Sequence, residues 1–177
     1  DLNLRNRKFR EVANLCSKFD VVGLLEVHGT TAAVQKSFEK VCKTHILLHS
    51  PFIENGNPAV GKGGVAALVA KSILGSGSLD PSYRQGNLME VLVHGRFIRV
   101  ALPIPRNGGS FACYFGHNFG ISEREMDTCA TSIGVDILRS QSNTESFAAV
   151  LLADFNFEAK GESRYYIGTV SYTHLTL

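Results

Sequence analysis

The residues of this chain that could do chemistry stand at the ends of apolar runs. In Ala148-Ala149-Val150-Leu151-Leu152-Ala153-Asp154-Phe155-Asn156-Phe157, small and branched apolar residues lead directly into an Asp-x-Asn pair. That is the pattern of a strand buried on both faces, with polar groups where it emerges. Asp20-Val21-Val22-Gly23-Leu24-Leu25-Glu26-Val27-His28-Gly29 has the same design, with Glu26 near the end of its run. Two such strands side by side would bring Glu26, Asp154 and Asn156 together. Clustered oxygen ligands are what a hard cation such as Mg²⁺ takes, so the pattern predicts a metal site facing an anionic substrate. Turns also favour Asp and Asn for their own reasons, so each motif alone reads first as an ordinary strand exit, and it is the two together that point to a site.

These ends need elements to position them. Residues 4–19 place Phe9, Val12, Ala13, Cys16 and Phe19 on one face and Arg5, Arg7, Lys8, Arg10 and Glu11 on the other, an amphipathic helix feeding a strand over 21–27. Residues 31–44 repeat the pattern through Val34, Phe38 and Val41 after the Gly29 turn. A loop rich in Gly, Pro and Asn covers 51–63, a strand 64–70, and a polar loop 75–86. Strands are expected over 90–94, 96–102 and 111–115, the first two joined by the tight His94-Gly95 turn. Ser122 and Glu125 stand at capping-box spacing, opening a helix whose inner face is Met126, Cys129, Ala130, Ile133 and Ile137. That helix delivers the chain to the Asp154 strand. Strands, hairpins and helices interleaved in this way predict a layered α/β or α+β domain with helices packed outside its sheets.

At 177 residues and 44% hydrophobic, the chain can bury the core of one domain or most of one. A net charge of +2 neither requires nor excludes nucleic acid as partner. Cys16, Cys42, Cys113 and Cys129 have no C-x-x-C spacing and fall in apolar segments, so free thiols in a reducing compartment are expected rather than disulfides or zinc. No apolar stretch reaches the length of a membrane span and no signal peptide opens the chain, which predicts a soluble, intracellular protein. The basic residues of the first two helices read as solvated surface. Arg96 and Arg99 border a candidate site strand and could contact phosphate, though Arg99 reads equally as one half of an edge-strand salt bridge. Gly61-Lys62-Gly63-Gly64 lacks the spacing of a nucleotide loop and reads as a turn. The last eight residues, Val170-Ser171-Tyr172-Thr173-His174-Leu175-Thr176-Leu177, match one reading frame of a transposase mosaic-end sequencing adapter. They are expected to be a processing artefact, with the domain over 1–169.

Four segments together resemble the endonuclease/exonuclease/phosphatase superfamily of metal-dependent phosphoesterases. Residues 20–29 look like its strand bearing a metal-binding Glu, with Leu25 where a Gln commonly stands. Gly63-Gly64-Val65-Ala66-Ala67-Leu68-Val69 is similar to its central Gly-Gly-Val strand, and Gly95-Arg96-Phe97-Ile98-Arg99-Val100 to the strand that follows. Ala153-Asp154-Phe155-Asn156-Phe157 resembles its Gly-Asp-x-Asn motif. The resemblance covers residues 4–160 and implies a four-layer sandwich, two mixed β-sheets face to face with helices outside. It also implies phosphoester hydrolysis with Mg²⁺ or Mn²⁺. Glu26 would ligate the metal, Asp154 would orient and deprotonate the attacking water, and Asn156 would hold the phosphoryl oxygen or the metal. Nucleases of the superfamily place a Tyr and an Asn as phosphate contacts near the end of another strand, here Phe111-Ala112-Cys113-Tyr114-Phe115-Gly116-His117-Asn118. Either Tyr114 or His117 takes the Tyr place. The pair His117 and Asn118 is similar to the form in retrotransposon-like branches.

The chain departs from the superfamily at both ends. Asn3 lies too near the first helix to serve as the Asn of an opening strand, and no Ser-Asp-His segment follows Asn156; the later His174 belongs to the suspected adapter. An internal fragment, incomplete at both ends, is therefore expected. Three functional readings follow. One is a divalent-metal endonuclease of a non-LTR retrotransposon type, acting on nucleic acid, with DNA favoured, and nuclear in that case. Another is a phosphatase for an inositol phosphate or similar small phosphoester. The third is an inactive element remnant.

Overall fold

A computed structural model describes residues 2–59, 61–74, 88–103, 110–118, 120–141 and 147–154. Helix α1 (Leu2–Cys16) leads into β1 (Val21–Leu25), α2 (Thr31–Ser37), a 3-10 turn (Val41–Lys43) and β2 (His45–Ser50). A short hairpin of β3 (Ile53–Glu54) and β4 (Asn57–Pro58) precedes β5 (Val65–Ala70) and a second 3-10 turn (Lys71–Leu74). Then come β6 (Met89–Val93), β7 (Phe97–Pro103), β8 (Ser110–His117), α3 (Glu123–Gln141) and β9 (Phe147–Asp154). Asn156 and the suspected adapter tail lie outside the described residues.

The larger strands form two sheets. One has the order β1-β5-β2 and is antiparallel throughout its described strands. The other, β6-β7-β8-β9, is mixed, because α3 carries the chain back so that β9 runs parallel to β8.

Alternation along the strands assigns each side chain to a layer. Val65, Ala67 and Val69 of β5 meet Ile98, Val100 and Leu102 of β7 and Cys113 and Phe115 of β8 between the sheets. Ala66 and Leu68 point the other way, with Val22, Leu24 and Leu47, beneath Phe9 and Val12 of α1 and Val34 of α2. On the far side, Phe97, Ala112 and Tyr114 pack with Cys129 of α3. The result is the expected helix-sheet-sheet-helix sandwich.

Differences from the sequence expectations have local causes. Helix α1 ends at Cys16, where the Ser17 hydroxyl donates to Asn14 O, so Phe19 lies beyond the helix and is exposed. Ala13 is exposed as well, and Leu15 packs in its place. The second expected helix is split: Thr30 caps its start by accepting from Ala33 N, and Ser37 Oγ donates back to Ala33 O at its end. Strand β2 was hidden by the histidines that interrupt its apolar run. In α3 the Ser122–Glu125 capping box forms as expected, with Glu125 Oε2 accepting from Ser122 N and Oγ. Its inner face, however, runs through Cys129 and Asp136, while Ala130 and Ile137 are exposed. Strand β9 is not buried on both faces: among the described residues it is an edge strand, and Val150 and Leu151 are exposed.

The Phe115 ring of β8 lies against Gly23 of β1 across the space between the sheets, so close that a Cβ at Gly23 would overlap the ring. Gly23→Val is expected to cost about 2–3 kcal/mol through forced displacement of Phe115. Urea denaturation of Gly23→Val with and without Phe115→Leu checks this, because trimming the ring should return part of the loss.

Candidate active site

The registers carry several chain ends to one end of the sandwich. Leu25 and Ser50 both pair with Val65, which puts the ends of β1 and β2 beside the start of β5. Phe97 pairs with Gly116 and His117 with Asp154, which gathers the start of β7 and the ends of β8 and β9. Gly64 N donates to Gly95 O at 3.0 Å and Gly95 N donates to Ser50 Oγ at 3.0 Å, tying the sheets together there.

Glu26 reaches this end through a break in alternation. Continued extension of β1 would send Glu26 to the outer face with Val22 and Leu24. Instead Glu26 adopts φ 57°, a left-handed conformation in a non-glycine residue, and Val27 takes the outer place in the helix-covered core. The carboxylate is thereby turned toward the second sheet. Its Oε1 lies 2.8 Å from His117 Nδ1 and 3.5 Å from Arg96 Nη1, and its Oε2 lies 3.2 Å from His28 Nε2. The His117 contact is short but not aligned as a hydrogen bond. At 29% side-chain exposure, Glu26 keeps access to solvent.

The strained turn is held by its neighbours. Val27 N donates to Gly64 O at 2.9 Å, and His49 Nε2 donates to Val27 O at 3.3 Å. Gly64 has φ 114°, and a Cβ there would strike Val27 O, so no other residue allows this approach. Because a carbonyl can only accept, His49 carries its proton on Nε2, and Nδ1 accepts from the Thr31 hydroxyl at 3.1 Å. Burial lowers the His49 pKa from its ordinary value, with the Val27 bond opposing in part. The folded protein thus resists protonation of His49 while the unfolded chain accepts a proton near pH 6.5, so stability is expected to fall as pH drops below that value. Urea midpoints at pH 7.5 and 5 should differ less in His49→Gln than in the wild type.

Arg96 joins the group with its guanidinium stacked over Phe52 at 4.5 Å to the ring centroid. Burial lowers its pKa, and the Glu26 charge opposes that shift. With the side chain 8% exposed, it braces Glu26 and the Phe52 loop rather than presenting its fork to solvent. Asp154 stands at the end of β9 in register with His117, on the same strand parity as Leu152, which packs into the inter-sheet core. Asn118 follows His117, and its N–H donates to Asp154 O at 2.8 Å.

Tyr114 is not brought into this group, which corrects its expected role as a phosphate contact. It lies three positions before His117, on the opposite face of β8, fully buried under α3. Its hydroxyl donates to Asp136 Oδ2 at 2.6 Å, and burial raises its pKa first and foremost. Arg99 likewise faces α3, in a forked pair with Asp136, and not the Glu26 end. His28, His49 and Phe52 were missed. The signal for His28 was its place two residues after Glu26; nothing in sequence separates His49 from any other core histidine.

The donor set suits a hard cation. Among the described residues no group of three His, Cys, Asp or Glu side chains forms a metal cage. Mg²⁺ seldom takes one: it keeps waters and is held by one or two carboxylates with substrate phosphate oxygens, and the part-exposed Glu26 is one such carboxylate. Among the described residues the four cysteines are free, and burial pushes the Cys113 and Cys129 thiols up to about 11. No described helix is long and apolar enough to cross a membrane.

No protein-family model and no curated protein matches this sequence. Solved structures do match. A functionally unknown conserved protein from Enterococcus faecalis aligns with TM-score 0.54 at 16% identity, over 88% of this chain and 60% of its own. An endonuclease/exonuclease/phosphatase family protein from Bacteroides thetaiotaomicron aligns with TM-score 0.52 at 13% identity, over 89% of this chain and 58% of its own. A mannosyl-6-phosphatase from the same organism gives TM-score 0.51 at 13% identity, over 86% and 57%. The chain thus spans little more than half the length of these structures.

Proposed function

We propose that this chain, which has the fold of the endonuclease/exonuclease/phosphatase superfamily, belongs to a divalent-metal phosphodiesterase that acts on nucleic acid. The observation that carries the reading is Glu26, turned out of β1 by a left-handed backbone to face the end of the sandwich where β9 delivers Asp154. Backbone strain of this kind costs about 1–3 kcal/mol and persists where the surroundings enforce it, typically at functional sites.

In this reading Glu26 holds Mg²⁺ or Mn²⁺, and Asn156 holds the cation or the phosphoryl oxygen beside it. The bound cation supplies positive charge against the oxygens of the transferring phosphoryl group. Asp154 accepts the proton of the attacking water and fixes its line of approach. His117 and Asn118 contact phosphate oxygens from the end of β8, and Arg96 keeps Glu26 and the Phe52 loop in place from below. Nothing in these roles demands a particular leaving group. DNA as substrate, a retrotransposon-type element and a nuclear location are the finer part of the proposal, and they rest on the His117-Asn118 pair.

The test is nicking of supercoiled plasmid in Mg²⁺ and in Mn²⁺, with EDTA as control, set beside release of phosphate from inositol phosphates. Metal-dependent nicking supports the proposal. Phosphate release without nicking would move the substrate to small phosphoesters, and inactivity in both assays would leave an inert remnant.

A further inference from the structure

The Glu26 carboxylate is gripped from two sides, one oxygen by each. Oε1 faces the second sheet, through His117 Nδ1 at 2.8 Å and Arg96 Nη1 at 3.5 Å. Oε2 faces its own chain, through His28 Nε2 at 3.2 Å. An ionised carboxylate only accepts, so a hydrogen bond here requires the His28 proton on Nε2. The backbone that carries His28 has little slack. Val27 before it is fully buried and bonded at both N–H and C=O, to Gly64 and His49. Gly29 after it takes φ 107°, and Thr30 then caps α2. A rigid arm therefore sets the ring against Oε2, and with Oε1 engaged on the other side the carboxylate cannot rotate freely about its terminal bond.

We propose that His28 is a positioning residue that orients Glu26 toward the cation, by hydrogen-bonding Oε2 while Arg96 hydrogen-bonds Oε1. Each carboxylate oxygen has two lone pairs, so this grip leaves room for a metal while fixing the direction from which it is met. The inference rests on Glu26 being the metal ligand. Partners that orient a ligand in this way typically contribute about 10–100-fold to metal affinity.

Mn²⁺ titrations followed by electron paramagnetic resonance on the wild type, His28→Ala, His28→Gln and Glu26→Gln test it, with thermal unfolding measured alongside. His28→Ala should weaken Mn²⁺ binding about 10-fold. His28→Gln, whose amide nitrogen can take the place of Nε2, should restore most of the affinity, with both variants unfolding close to the wild-type temperature. If His28→Ala binds Mn²⁺ as the wild type does while Glu26→Gln does not, His28 has no such role and the metal reading stands. Weakening that Gln does not relieve would assign the effect to the bulk of the ring and would equally overturn the proposal. A wild type that binds no Mn²⁺ would remove the metal reading, and this inference with it.

Discussion

Glu26→Gln is expected to lower metal-dependent phosphodiester cleavage by about 10²–10³-fold, the size of effect seen when one preorganised electrostatic contact to a transition state is removed. The substitution keeps the size of the side chain and tolerates the same left-handed backbone, but it removes the charge that His117 and Arg96 face. Arg96 is then left buried beside a neutral amide, so some stability is lost too. Activity must therefore be measured well below the unfolding midpoint, and Asp154→Asn serves as a second variant. Asp154 lies at a strand end and half exposed, so its replacement should spare stability while removing the proton acceptor. Retention of activity within about twofold in Glu26→Gln would remove the carboxylate from the chemistry, since a contact worth 10² or more cannot be lost unnoticed.

The largest expected effect on stability belongs to Asp136, which is far from that chemistry. Arg99 donates to it twice, from Nε at 2.7 Å and from Nη2 at 3.0 Å, and the Tyr114 hydroxyl donates at 2.6 Å. Burial alone would raise the Asp136 pKa, but the bonds from Arg99 and Tyr114 outweigh it and hold the carboxyl below its ordinary value. Asp136→Ala leaves the part-buried Arg99 with the exposed Glu90 carboxylate at 3.8 Å as a weaker partner and is expected to cost about 3 kcal/mol, whereas replacing Arg99 and Asp136 together by Leu should cost far less. Since the folded-state pKa is depressed, the stability from Asp136 is present above the unfolded carboxyl pKa and is lost as pH falls through the folded one. Tyr114→Phe should cost about 1–2 kcal/mol and leave phosphodiester cleavage unchanged. Urea denaturation of the three variants measures the first set of effects. A loss of cleavage in a folded Tyr114→Phe would reinstate Tyr114 as a phosphate contact.

Much of this could be read from residue order. Apolar runs ending in Glu26 and Asp154 placed two carboxylates at strand ends, because an apolar run gives way to polar residues where a strand leaves its sheet, although for the Asp154 strand the run did not mean burial on both faces. The Ser122–Glu125 spacing marked the start of α3, since capping is a local bond between residues three apart. Alternation along β8 even held the answer on Tyr114: residues 114 and 117 differ by an odd number and face opposite ways. Other features depend on contacts distant in sequence. Arg99 meets Asp136 across 37 residues, and His49 holds Val27 across 22. Strand β2 was hidden by its histidines, whose buried positions become tolerable only where partners such as Thr31 and Val27 O are supplied by tertiary contact. By itself, the sequence determined the layers, the capping box and the strand ends that bear the carboxylates, because period and local hydrogen bonding decide them. Only the tertiary structure decided that Glu26 turns inward: the left-handed backbone is unfavourable locally, and the bonds to Gly64 and His49 that hold it exist only once β5 and β2 lie beside β1.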